Sequence, residues 1–219
     1  MSSPEPGSPR IAEIRRLRGN RRQLTFDDGR VFVFSDEACE RSHLRQGAEA
    51  TPELLQQLDE DDRRTGLHEA ALRLLSYRPR SEDELRRRLA TRCDDPAAIE
   101  AELDRLRGAG LVDDERFATL WVEERQRHAP RSTRLLRYEL RGKGIDAEAV
   151  EAATSELDDS DAALAFALTR ARKTSVGDFE KFAFRTGGAL QRRGFSYATA
   201  TAAMRAAWAA VHAGSIQGN

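Results

Sequence analysis

The chain is expected to be mainly α-helical. Three tandem three-helix repeats in an elongated curved array follow a small antiparallel β-sheet and a linking helix, an α+β extension at the N-terminal end. Three observations carry this expectation. The stretch from Asp114 to Ala153 has the caps, apolar stripes and stops of three short helices. Stretches on either side repeat its landmarks at a near-constant spacing. Residues 10–34 instead show strand-like alternation and an Asp-Gly hairpin signal.

In the central unit, Asp113-Asp114 starts a helix with the stripe Phe117, Ala118, Trp121 and Val122. Pro130 breaks that pattern, and Ser132 offers an oxygen to cap the next helix, which carries Leu136 and Leu140 one turn apart. Gly142 and Gly144 should end it, because glycine takes the left-handed conformation at a helix C-terminus without steric cost. Asp146 caps a third helix that buries Ala149, Val150, Ala153 and Leu157. Moving back 51 positions sets Pro130-Arg131-Ser132 on Pro79-Arg80-Ser81, Leu136 on Leu85 and Val150 on Ile99. Moving forward 50 sets Lys143-Gly144-Ile145 on Arg193-Gly194-Phe195. A register that persists through helix, turn and next helix marks stacked units sharing a core.

The expected organisation is a disordered tail (1–9), N-terminal strands plus helix (10–64), three repeats (65–112, 113–158, 159–212) and a polar tail (213–219). Within the extension, Ile11–Arg18 and Arg21–Phe26 are strands around a Gly19-Asn20 turn, and Asp27-Asp28-Gly29 leads into Val31–Phe34. Glu37–Arg45 is ambiguous between a short helix and irregular chain. Thr51-Pro52 starts a helix carrying Leu54, Leu55 and Leu58, and the first repeat opens near Leu67. Ser81-Glu82-Asp83-Glu84 is a capping box, and Asp95-Pro96 starts the helix of Ile99, Leu103 and Leu106. The last repeat carries Leu164, Ala167, Leu168 and Ala171, then Phe179, Phe182 and Leu190, then Ala200, Met204, Ala207 and Trp208.

Charged residues make up 33% of the chain and aromatics 6%, which suits a helical protein with a thin core. The net charge of −1 hides segregation: residues 115–144 hold 8 basic and 4 acidic groups, while residues 146–161 hold 7 acidic groups and no basic one. No apolar run could span a bilayer and no signal peptide is visible, so a cytoplasmic protein is expected. Cys39 and Cys93 lack disulfide or zinc spacing and read as small buried or half-buried side chains. His43, His68, His128 and His212 lie far apart and read as solvated. Arg141-Gly142-Lys143-Gly144 lacks the upstream glycine and following Ser/Thr of a phosphate loop. Carboxylate runs sit at helix starts, where capping explains them. No cofactor or metal site is expected, and no enzyme.

The basic residues, by contrast, recur at equivalent places. Arg86, Arg87, Arg88 and Arg92 lie on the second helix of the first repeat; Arg131, Arg134, Arg137, Arg141 and Lys143 on or beside that of the second; Arg185, Arg192 and Arg193 on that of the third. Stacked repeats would line these up as a groove for a polyanion or an acidic protein. The aromatics Phe117, Trp121, Phe182 and Trp208 lie on apolar stripes and are assigned to the core; Tyr138 and Tyr197 are left open.

Several motifs together resemble the RecX family. They are Ala71-Leu72-Arg73-Leu74-Leu75, Arg80-Ser81 with Glu84-Leu85, Asp113-Asp114 with Phe117-Ala118, Glu139–Ile145, and Arg192–Tyr197. The resemblance covers about residues 67–212, and the N-terminal strands resemble the extension of longer members. Gly142 and the alanine-rich last helix depart from the family pattern. The resemblance implies a non-enzymatic modulator of the RecA recombinase. It would bind the RecA filament on single-stranded DNA as a monomer and inhibit ATPase, filament growth and strand exchange, with single-stranded or duplex DNA contacts in support and no membrane involved. The alternative is a stand-alone nucleic-acid-binding or transcription-regulating helical repeat protein.

Overall fold

The computed structural model describes residues 8–174 and 179–212. The tail expected over 213–219 lies outside these residues, as does that over 1–9 except for Ser8 and Pro9. The chain divides into two compact units: residues up to Pro79 with Leu85–Leu111, and Arg80–Glu84 with the chain from Val112 onward.

The first unit opens with β1 (Ile11–Leu17), β2 (Arg21–Phe26) and β3 (Val31–Ser35), an antiparallel sheet in that order. Gly19 and Asn20 both take positive φ, the requirement of a tight hairpin whose twist matches its strands. Inward residues of the sheet (Ile11, Leu24, Phe26, Phe34) pack with Ala38, Cys39, Ala50 and Leu58. The ambiguous segment resolves as both: α1 (Asp36–Arg41), where the Ser35 side chain accepts from the Ala38 amide, and then turn and irregular chain over 42–45.

α2 spans Pro52–Tyr77, capped by Thr51, and so joins the expected linking helix and the opening of the first repeat into one 26-residue helix. A repeat boundary at 64/65 falls inside it. The intervening Asp59–Asp62 run and Gly66 contain no proline, and one glycine costs a helix only about 1 kcal/mol. The acidic run has partners: Asp62 pairs with Arg21 at 3.2 Å and accepts from the Ser35 amide at 2.6 Å. Arg16 and Arg22 likewise pair with Asp36. Much of the N-terminal arginine excess therefore ties the sheet to its own helices. α4 (Pro96–Gly108) completes the unit, with Asp95 as its cap.

α3 (Glu82–Leu89) is divided between the units, its first turn belonging to the second. That unit contains α5 (Asp114–His128), α6 (Thr133–Arg141), α7 (Ala147–Thr154), α8 (Asp159–Ala171), α9 (Phe179–Arg192) and α10 (Tyr197–His212). α5–α7 enclose Phe117, Ala118, Val122, Leu136, Leu140, Ile145, Ala149 and Val150. In α8–α10, alanines 163, 167, 171, 200, 203 and 207 are buried around Phe182, Leu190, Phe195 and Met204, small side chains that let helices approach closely. Gly144 takes φ 80° as expected, but Gly142 stays helical at φ −64°, so Gly144 alone makes the left-handed exit. No helix among the described residues is long and apolar enough to cross a membrane.

Candidate functional site

Most of the arginines singled out from sequence fall into three groups, while Arg92 lies exposed in the turn beyond α3, which ends at Leu89. Arg86 grips Glu100 with two bonds of 2.6 and 3.0 Å, bracing α3 to α4. Arg137 does the same for α6 and α7, reaching Glu151 and the Thr154 hydroxyl at 2.9 Å each. Both members of these pairs are 51 positions apart, so this recurrence belongs to the internal brace of the repeat. Lys143 is committed too: its Nζ lies 2.5 Å from Glu84 and 4.1 Å above the Trp121 ring. Arg87, Arg88, Arg134 and Arg141 form a second group, exposed on α3 and α6.

The third group converges. Arg131, Arg192 and Arg193 line a cavity of about 490 Å³ with Arg170 from α8, a residue absent from the sequence-derived set. Among the described residues Glu139 is the one carboxylate lining it, and it is already engaged. It accepts from Trp121 Nε1 at 3.0 Å, pairs with Arg131, and has Arg125 Nε at 3.5 Å. Arg193 rests 4.4 Å over the Phe166 ring, which Arg170 approaches at 5.0 Å. Among the described residues neither Arg170, Arg192 nor Arg193 forms an ion pair. Burial, then repulsion from Arg125 and Arg193, pushes the Arg131 guanidinium below the ordinary arginine value. Burial, then Arg170 and Arg192, does the same to Arg193. Both remain cations at neutral pH, so the cavity holds uncompensated positive charge. Arg185 lies on α9 and lines an adjoining groove. The signal for Arg170 in sequence was its position one turn after Phe166.

Other expectations shift. Trp121 and Trp208 are half-buried, whereas Phe117 and Phe182 are core. Trp121 is an amphipathic plate, with cations on its ring and an N–H bonded to Glu139. Two histidines are not solvated: His68 bonds the buried Glu102 at 2.6 Å, and buried His212 contacts the carbonyls of Trp208 and Thr174 at 3.2 Å. Tyr138 and Tyr197 are exposed. Cys39 is buried and Cys93 half-buried, as expected.

The acidic runs do more than cap their own helices. Asp113 caps α5 and Asp158 caps α8, but the following Asp114 and Asp159 reach elsewhere. Asp114 accepts from the Glu82 amide at 2.9 Å, and Asp159 from the Thr133 amide at 2.7 Å. Each thus closes the first turn of a helix in the preceding repeat.

Comparison with known proteins gives this geometry a setting. The family model described as RecX, first three-helix domain, matches residues 68–106, and that of the second three-helix domain matches 113–153. The chain is 34% identical over 201 residues to the regulatory protein RecX of Corynebacterium efficiens, covering 88% of this chain and 87% of that one. It is 40% identical over 136 residues to that of Mycolicibacterium vanbaalenii, covering 57% and 73%. A crystal structure of regulatory protein RecX superposes with TM-score 0.66 at 22% identity, over 87% of this chain and 96% of that one. RecX from Lactobacillus salivarius does so with TM-score 0.56 at 21% identity, over 67% and 97%. Two consecutive domain matches and a relative aligned along nearly the whole length establish the conclusion: this chain belongs to the RecX family.

Proposed function

We propose that this chain is a non-enzymatic regulator of DNA repair and recombination that binds the RecA filament on single-stranded DNA. There it lowers the filament's ATPase, growth and strand exchange. The observation that carries the reading is membership of a family whose relatives are named regulatory proteins. Segregated charge supports it, since a nucleoprotein filament offers both protein and phosphate to a chain that is basic over 115–144 and acidic over 146–161. The candidates for contact are Arg87, Arg88, Arg134, Arg141 and Arg185, with Arg131, Arg192 and Arg193 in the cavity. Arg86, Arg137 and Lys143 support the fold instead.

The test is the single-stranded-DNA-dependent ATPase of the cognate RecA while this protein is titrated in. Inhibition at substoichiometric amounts is the expected result, and an ATPase that stays unchanged at excess overturns the reading. Arg134→Glu with Arg141→Glu should weaken the effect while the thermal melt stays intact. A second reading, a stand-alone nucleic-acid-binding protein, draws support from the arginines of α8–α10 that form no ion pair among the described residues. The net charge of −1 weighs against it, since dedicated DNA binders carry a basic excess.

A further inference from the structure

A groove of about 760 Å³ runs between α9 and α10 and adjoins the arginine cavity. Two features distinguish it from an ordinary solvated helix face. The first is its aromatic residues: Phe184 is 85% exposed and Tyr197 75%, in a unit whose other rings are buried or half-buried except Phe179 and Tyr138. A large apolar ring left in water on a helix costs solvation and gains nothing for the fold. The second is its charge. Arg170, Arg185, Arg192 and Arg205 line the groove, and among the described residues no carboxylate does so and none of the four forms an ion pair. Between these features, Gly187-Gly188 leaves two positions of the continuous helix α9 without side chains in the groove lining. A Cβ at Gly187 would come within 3.3 Å of Met204. Paired glycines inside a helix weaken it, so they need a compensating reason.

We propose that this groove binds single-stranded nucleic acid, with Phe184 and Tyr197 stacking bases while Arg170, Arg185, Arg192 and Arg205 hold phosphates. Unpaired bases present π-faces that exposed rings can cover, whereas duplex bases are already stacked on one another. Arg170 and Arg192 also line the cavity that holds Arg131 and Arg193, so the cationic track continues beyond the aromatic platform. An acidic peptide would use the arginines but leave both rings in water, and the rings therefore favour the nucleic acid. The proposal gives the nucleic-acid-binding reading its site and rests on that reading: a wild-type chain that binds no oligothymidylate defeats the reading, whereas binding that survives the aromatic substitutions defeats the site alone.

The experiment is fluorescence anisotropy of labelled oligothymidylate with the full chain and no recombinase. The wild type should bind with log affinity falling against log salt by about 0.7 per phosphate engaged. Phe184→Ala with Tyr197→Ala should weaken binding roughly tenfold or more with the salt slope unchanged. Arg170→Ala with Arg192→Ala should flatten the slope by about 1.4. Melting curves confirm the fold of each variant. Wild-type affinity in the aromatic variant, equal affinity for a blunt hairpin duplex, or preference for a labelled polyglutamate peptide would overturn the site. Because RecA is absent, loss of this site leaves the ATPase result to be judged separately.

Discussion

The second unit contains two joints built on one plan, and they finish it differently. In each, an Arg-Ser pair that opens a helix meets a Lys/Arg-Gly turn about sixty residues later in the chain, with an aspartate closing the first amide of the helix. In the first joint, Ser81 Oγ accepts from the Glu84 amide at 3.2 Å and donates to the Lys143 carbonyl at 2.7 Å. In the second, Ser132 Oγ accepts from the Leu135 amide at 3.2 Å, and the backbone amide of Ser132 donates to the Arg193 carbonyl at 3.0 Å. The cation of the turn then decides the character of each. Lys143 meets Glu84, but the position equivalent to Glu84 is Leu135, so among the described residues Arg193 pairs with no carboxylate and contributes its charge to the cavity. One joint consumes its cation in an ion pair and the other does not, which makes the second a candidate for recognition and the first a structural contact.

The shared plan should be broken most severely at the turn glycines. Gly144 and Gly194 have φ of 80° and 89°, and an added Cβ would come within 2.3 Å of Asp83 Cβ or 2.5 Å of Ser132 Oγ. Left-handed strain and overpacking together predict a loss of about 2–5 kcal/mol for Gly144→Ala and for Gly194→Ala, read by urea unfolding. Gly142→Ala is the control, because Gly142 is helical and its nearest contact is 3.4 Å. If Gly144→Ala behaves like Gly142→Ala, the joint is not as close as described.

The serines should separate the two joints. Ser81→Ala removes a cap and leaves the Lys143 carbonyl without its donor, for about 2–4 kcal/mol. Ser132→Ala removes a cap only, for about 1 kcal/mol, because the bond to Arg193 comes from the backbone. Equal losses would mean that the joints are closed in the same way.

Converting one joint toward the other is a sharper test. Leu135→Glu places a carboxylate where the first joint has Glu84, beside Arg193 in the cavity. It should lower oligonucleotide affinity by a few-fold and reduce the salt slope by about 0.7, the equivalent of one phosphate contact. Unaltered affinity would show that Arg193 does not contribute to binding.

The sequence made the architecture legible because repetition multiplied weak signals. One Arg-Ser or one Lys-Gly means little, but the same pair recurring with leucines and caps in register defined helices, turns and resemblance together. Where α2 runs on, no stop signal separates the two expected helices, and the expected opening of the first repeat near Leu67 falls within one continuous helix. The candidate site was harder to read for the opposite reason. Recurrence drew attention to Arg86 and Arg137, yet equivalent residues perform equivalent work, and that work is bracing Glu100 and Glu151. The converging set is irregular: Arg170 has no counterpart among the residues singled out, and Arg193 is free because Leu135 breaks the repeat. Pairing in space, which a linear pattern does not encode, separates the structural arginines from the free ones.

The smallest effect expected also carries a sign. Burial pushes the Asp114 carboxyl above the ordinary aspartate value, Glu82, Asp146 and Asp113 add to this, and the Glu82 amide opposes them. A raised carboxyl pKa means that the folded chain holds this proton more tightly than the unfolded one. The contribution is therefore fully present below the unfolded value and is lost as pH rises through the folded one. At neutral pH the Asp114 charge is a burden, retained because its oxygen closes α3. Asp114→Asn keeps an oxygen for that amide and removes the charge. Its melting temperature relative to wild type should be a few degrees more favourable at pH 7 than at pH 4, about 2–4 °C per kcal/mol in a chain of this size. Asp159→Asn differs, since Asp159 accepts from both the Thr133 amide and hydroxyl, at 2.7 and 2.8 Å, and should lose about 1 kcal/mol. If Asp114→Asn instead gains relative stability as pH falls, its charge supports the joint, and the two aspartates do the same work after all.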